Sequence, residues 1–211
     1  MYLCYIQSIV GYRSIVFRRV FLIMTVLYLW RSVTMMVTQV PVASSTYYCS
    51  PQANHTTVLL VVQRVFRLMS GMGLSINGQH VYCGDFIYSG HTVILTMSYL
   101  TFKEYAPAWC RVVNAIFAIL SAIAVILIVV ARGHYTVDVV IAYFVTTRVF
   151  WAYHTLANNP SLKVAGPTNY LANAWWFRIF QYFERNVLEP VPREYSWPLP
   201  WPSRGGPFRT L

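Results

Sequence analysis

Long apolar stretches separated by short polar turns set the pattern of this chain. The cleanest is residues 112–131, "VVNAIFAILSAIAVILIVVA", an uncharged run long enough to cross a hydrocarbon core of about 30 Å as a helix. Three further runs are long enough to span while carrying polar positions: residues 16–42 contain Arg31, residues 86–102 are rich in Ser and Thr, and residues 139–156 contain Arg148. Residues 58–76, "VLLVVQRVFRLMSGMGLSI", set Arg64 and Arg67 into an apolar segment, the pattern of an amphipathic helix lying in the membrane interface rather than crossing it. The expected fold is all-α: a polytopic transmembrane helix bundle with four spans within residues 1–156. Residues 157–211 form a cytosolic tail containing proline and tryptophan, too short for a second domain. Its aromatic side chains are expected at the membrane surface.

Composition strengthens the membrane assignment. Hydrophobic residues make up 57% of the 211 and charged residues 10%, outside the range of an ordinary soluble domain. A net charge of +10 raises the question of nucleic acid, but the basic residues are dispersed among spans and loops and form no stripe on a soluble face. Membrane orientation accounts for them. Arg13, Arg18 and Arg19 precede the first span, Lys103 and Arg111 flank a short loop, and Lys163, Arg178, Arg185, Arg193, Arg204 and Arg209 follow the last. The positive-inside rule makes those regions and both termini cytosolic, and puts residues 43–85 and 132–138 on the opposite side. The opening "MYLCYIQSIVGYR" lacks the charged n-region and small-residue cleavage site of a signal peptide, and reads as the end of an earlier span.

On the non-cytosolic side, Asn54-His55-Thr56 is a glycosylation acceptor sequence, and Cys49 and Cys83 share a compartment that permits a disulfide or two free thiols. Cys4 and Cys110 fall on the cytosolic side and are expected to be reduced.

Acidic residues are scarce enough to be sorted individually. Of six, Glu184, Glu189 and Glu194 lie in the tail and Glu104 in a cytosolic loop, leaving Asp85 and Asp138 at the non-cytosolic ends of predicted spans. Each has a histidine close by: Asp85 and His91 in "CGDFIYSGHT", His134 and Asp138 in "HYTVD". Ionisable groups at a span are costly, and are functional candidates for that reason. The four-residue spacing from His134 to Asp138 puts both side chains on one helical face. There the carboxylate orients the imidazole and leaves its other nitrogen as nucleophile or base. His91, at the same membrane depth, suits a general acid and base. Two histidines and a carboxylate also make a possible metal set.

The other histidines separate by arithmetic. His154 lies twenty residues past His134, about 30 Å along a helix and at the opposite face, while His55 and His80 read as loop residues. Arg31 lies about 18 Å beyond Arg19. It either snorkels to the interface or faces the site, where its forked guanidinium suits a phosphate.

The two histidine segments carry a resemblance. "CGDFIYSGHT" and "HYTVDVVIAYFVTTRVFWAYH" resemble the third and fourth signature motifs of the sphingomyelin synthase family, and "YLWRSVTMMVTQVPV" its second; "FKEYAP", "ERNV" and "VPREYSWPLPWP" extend the likeness over nearly the whole chain. The resemblance implies transfer of phosphocholine from phosphatidylcholine to ceramide, giving sphingomyelin and diacylglycerol. It implies a site of His91, His134 and Asp138 facing the Golgi lumen or the cell exterior, in the Golgi or plasma membrane. The wider lipid phosphate phosphatase superfamily shares the SGH and HxxxD elements, which implies a phosphohistidine route without metal or cofactor. Asp85, Arg31, Ser89, Tyr135 and Gly133 complete the candidate substrate contacts. The partners expected are the two lipids and the bilayer, with homo-oligomer formation left open and no nucleic acid.

Two departures stand out. The family has six spans, and the likeness begins near the end of the second. Gly133 stands where family members commonly have an acidic residue associated with head-group choice. Ceramide phosphoethanolamine synthesis is therefore an alternative. A lipid phosphate hydrolase is disfavoured by the lack of a Lys/Arg-rich motif, and a silent scaffold or truncated chain is the remaining reading.

Overall fold

The computed structural model describes residues 2–38, 40–41, 57–70, 87–166, 169–187, 191 and 193, with backbone alone at 2–13, 67–70 and 108. Asp85, the Cys49 and Cys83 pair and the Asn54 acceptor lie outside the described residues. All regular structure described is helical: α1 (Tyr2–Val37), α2 (Val58–Ser70), α3 (Gly90–Tyr105), α4 (Arg111–Val130), α5 (Thr136–Asn158) and α6 (Phe177–Glu184), with single 3-10 turns at Ala108–Cys110, Pro160–Leu162 and Tyr170–Asn173.

Prolines set several of the boundaries. Pro41 follows the end of α1, Pro107 follows α3 and Pro160 follows α5. Each lacks the amide that would continue the helix and disfavours helical geometry in the residue before it. α1 accordingly stops before residue 42, and at its other end it is continuous from Tyr2. The opening residues are thus part of the first helix, not the end of an earlier one. With no glycine or proline between Tyr12 and Trp30, nothing in that stretch interrupts the hydrogen bonding.

Among the described residues, two helices, over Ser14–Val37 and Arg111–Val130, are long and apolar enough to cross a membrane. They differ in how they are used. α1 buries Leu22, Ile23, Val26 and Leu27 in the core, whereas α4 buries no residue. α3 and α5 pack closely and turn four threonines inward, so that Thr92, Thr96, Thr146 and Thr147 are buried between apolar neighbours. Arg148 points outward from α5, its guanidinium within 5.4 Å of the ring centroids of both Phe144 and Trp151, which lowers the cost of a charge there.

The part of the tail that leads into α6 enters the bundle. Trp176, Phe177 and Phe180 are buried against Tyr153, instead of resting at a surface. Glu184, at the last position of α6, accepts two hydrogen bonds of 2.8 Å from Arg19, which is itself 1% exposed. Tyr153 donates to the same carboxylate at 3.0 Å. Tyr105 stands beside Arg19 Nη1 at 3.3 Å and bonds His154 Nε2 at 2.9 Å, while His154 Nδ1 donates to the Phe150 carbonyl at 2.9 Å. α1, α3, α5 and α6 are thereby tied at one end, and His154 is committed to that end.

Candidate active site

The opposite end is built on two helix starts and one corner. α3 begins at Ser89, whose buried Oγ accepts from the Thr92 amide at 3.4 Å and the Thr92 hydroxyl at 3.1 Å. Such a cap satisfies first-turn donors. The hydroxyl of Ser89 is thus engaged within the helix, and His91 projects from the first turn, exposed.

The corner between α4 and α5 holds the second histidine. α4 ends with the amide of Gly133 donating to the Ile128 carbonyl at 3.1 Å and that of Arg132 to Val129 at 3.0 Å, the paired bonds of a Schellman motif. Arg132, at φ 53°, occupies the left-handed position where glycine is usual. The chain then turns into α5 with Tyr135 as N-cap, and Asp138 Oδ2 accepts the Tyr135 amide at 3.0 Å. His134 therefore sits before the helix, not on its face. Its Nδ1 nevertheless lies 3.7 Å from Asp138 Oδ2, because the carboxylate that caps α5 reaches back over the same corner. Tyr135, exposed, directs its hydroxyl to the Pro41 carbonyl at 3.4 Å.

These two constructions bring the histidines together. The rings of His91 and His134 are 5.9 Å apart at 63°. Arg31 joins them from α1, with its guanidinium lying against Gly90: a Cβ added at Gly90 would stand 2.9 Å from Arg31 Cζ and closer still to Nη1. The charge stays over the Tyr28 ring, 5.6 Å from its centroid. Of the two readings left open for Arg31, the structure thus favours the one that faces the histidines. Gly90 was not singled out in the sequence. The signal available was a poor helix former at the first position of a helix, next to a candidate histidine.

Electrostatics set the form of His134, which lies in the turn outside the spans. Burial, with His91 and Arg31 adding to it, pushes its pKa down to about 4. The imidazole is then neutral at physiological pH, the form able to attack phosphorus. Among the described residues no group of three or more His, Cys, Asp or Glu side chains is arranged to hold a metal ion. Gly133 has room for a side chain: a Cβ there would meet only the Ile128 carbonyl, at 3.5 Å.

The chain is similar to known proteins over most of its length. The family model described as PAP2 superfamily C-terminal matches residues 82–155, the segment that supplies both histidines and Asp138. Phosphatidylcholine:ceramide cholinephosphotransferase 2 of Rattus norvegicus is 52% identical over 191 residues, covering 90% of this chain and 52% of the relative. The type 1 protein of Homo sapiens is 50% identical over 191 residues, covering 90% of this chain and 46% of its own. The chain thus spans about half the length of the curated relatives it matches. No solved structure matches. Half-identity sustained over nine-tenths of the residues places this chain in the sphingomyelin synthase family.

Proposed function

We propose that the chain transfers phosphocholine from phosphatidylcholine to the primary hydroxyl of ceramide, releasing diacylglycerol, with His134 as nucleophile, Asp138 as its orienting carboxylate and His91 as general acid and base. The observation that carries this reading is the juxtaposition of two histidines 5.9 Å apart, one backed by a carboxylate and both beside an arginine.

Nδ1 of His134 faces Asp138, so Nε2 attacks phosphorus. The bond from phosphorus to the diacylglycerol oxygen breaks, and His91 gives that oxygen its proton. In the second half His91 takes the proton of the ceramide hydroxyl, whose oxygen attacks the phosphohistidine and returns His134 to its starting form. Asp138 stabilises positive charge on the ring as the phosphorus–nitrogen bond forms and breaks. Arg31 and the first-turn amides of α3 face the phosphate oxygens, where charge-assisted bonds are strongest. Exclusion of water at the second step separates transfer from hydrolysis. In this reading α1, α3, α4 and α5 are four spans, and the site opens on the non-cytosolic side of a Golgi or plasma membrane.

Expression in cells lacking sphingomyelin synthesis, with fluorescent ceramide supplied, tests the reading. A sphingomyelin product supports it. A phosphoethanolamine product selects the alternative that Gly133 motivates, and loss of donor phosphate without transfer points to hydrolysis. No product from a protein that reaches the membrane leaves the scaffold reading.

A further inference from the structure

A cavity of about 360 Å³ lies between α1, α3 and α4, walled by Val16, Val20 and Met24 on one side and by Ile94 and Ser98 on the other, with Phe117 across it and Tyr105 at its end. Its walls continue into the site. His91, Ile94, Ser98, Thr101 and Tyr105 recur at three- and four-residue spacings, so they form one stripe of α3 with His91 at its head. Val16, Val20, Met24 and Arg31 form the corresponding stripe of α1, with Arg31 at its head. Both groups that face the phosphate therefore stand above the same apolar trough.

Its dimensions identify the occupant. From Ile94 to Tyr105 the trough is about 16 Å long at 1.5 Å per residue. Dividing the volume by that length leaves roughly 22 Å² of cross-section, the girth of one hydrocarbon chain and a small fraction of that of a helix about 10 Å wide. The trough ends on a fixed floor, because the Tyr105 hydroxyl is held by Arg19 at 3.3 Å and His154 at 2.9 Å. The phosphate at its head belongs to the donor lipid, since ceramide carries none.

We infer that this trough seats one acyl chain of the phospholipid donor, descending from the phosphate at His91 and Arg31 and stopped by Tyr105. The inference rests on the transfer reaction proposed above and adds a subsite that sets donor chain length.

The test uses the full chain in proteoliposomes with a fixed ceramide and either dioctanoyl or dioleoyl phosphatidylcholine as donor. Ser98→Phe and Val20→Phe fill the trough, while Ile119→Phe, on the exposed surface of α4, is the control. The expected result is a fall of about tenfold or more in kcat/KM for the dioleoyl donor, with the dioctanoyl donor little changed and the control unaffected. Equal falls for both donors, no fall for either, or a dependence on the ceramide chain instead would overturn it. A second measurement needs no turnover. Phosphatidylcholine bearing a diazirine along its acyl chain should label residues within Val16–Met24 or Ile94–Tyr105, and Ser98→Phe should suppress those adducts. Adducts confined to the outer surface of α4, or an unlabelled trough crosslinked to another protein segment, would also overturn it. Transfer absent with every donor while the adducts persist would refute the reaction and leave the subsite standing.

Discussion

At the scale of single residues, three contacts determine what the site can do, and each has a distinct experimental signature. His134 is the attacking group in the proposed reaction, so His134→Ala should abolish product, while His91→Ala should lower turnover by about two to four orders of magnitude, both read from lipid products. Because His134 titrates near 4 in the folded protein and its unfolded form near the ordinary value of about 6.5, the unfolded state binds more protons between those values. The sign follows: as pH falls through that window the folded form loses stability. The acid limb of the rate profile set by the nucleophile lies near 4, and a limb near 6.5 assigned to His134 would contradict this. Gly90 gives the third contact. An alanine there meets the far end of a flexible arginine, so Gly90→Ala should fold with an unchanged Tm while displacing Arg31, seen as a rise in KM or a loss of kcat.

The elements show which features are local and which are assembled at a distance. α4 is readable because an uncharged apolar run of span length has few other fates, and its bounds in the structure agree with the run in the sequence to within a residue at each end. The HxxxD spacing reads as a helical face, yet the structure puts His134 ahead of the cap. The cause lies in Arg132, which takes the left-handed position one residue before the glycine that would ordinarily mark it. Arg132→Gly should therefore stabilise the corner by about 1 kcal/mol, measured as a rise in Tm. α6 was hidden for another reason. Its docking depends on Glu184 meeting Arg19 across 165 positions of sequence, which no local pattern reports. Glu184→Ala leaves a buried guanidinium without its carboxylate and should cost about 3–5 kcal/mol, with faster proteolysis around α6 as the readout.

For the whole molecule, charge asymmetry predicts that His91, His134 and Asp138 share one side of the membrane. Independently of charge, the Arg19–Glu184 cluster and the histidine pair occupy opposite ends of α1, α3 and α5. Accessibility checks the orientation. A cysteine replacing Arg132 should react with an impermeant maleimide from outside intact cells, and one replacing Trp109, which is 78% exposed in the turn after α3, should react only after permeabilisation. What the sequence could not convey was the meeting of Arg31 with Gly90, a contact between two helices whose register is decided by packing.

The corner that ends α4 has one more consequence. His134 is fastened to the last turn of a helix that buries none of its residues and meets the bundle mainly along α3, where Phe117 packs on Phe102. A helix of 20 residues spans about 30 Å, the thickness of an average hydrocarbon layer, and a thinner layer tilts it. Tilt moves the imidazole relative to His91, which belongs to a packed helix. Bilayer thickness would then act as a control on rate with no ligand involved, greatest where the layer matches α4 and lower in bilayers thinner than this.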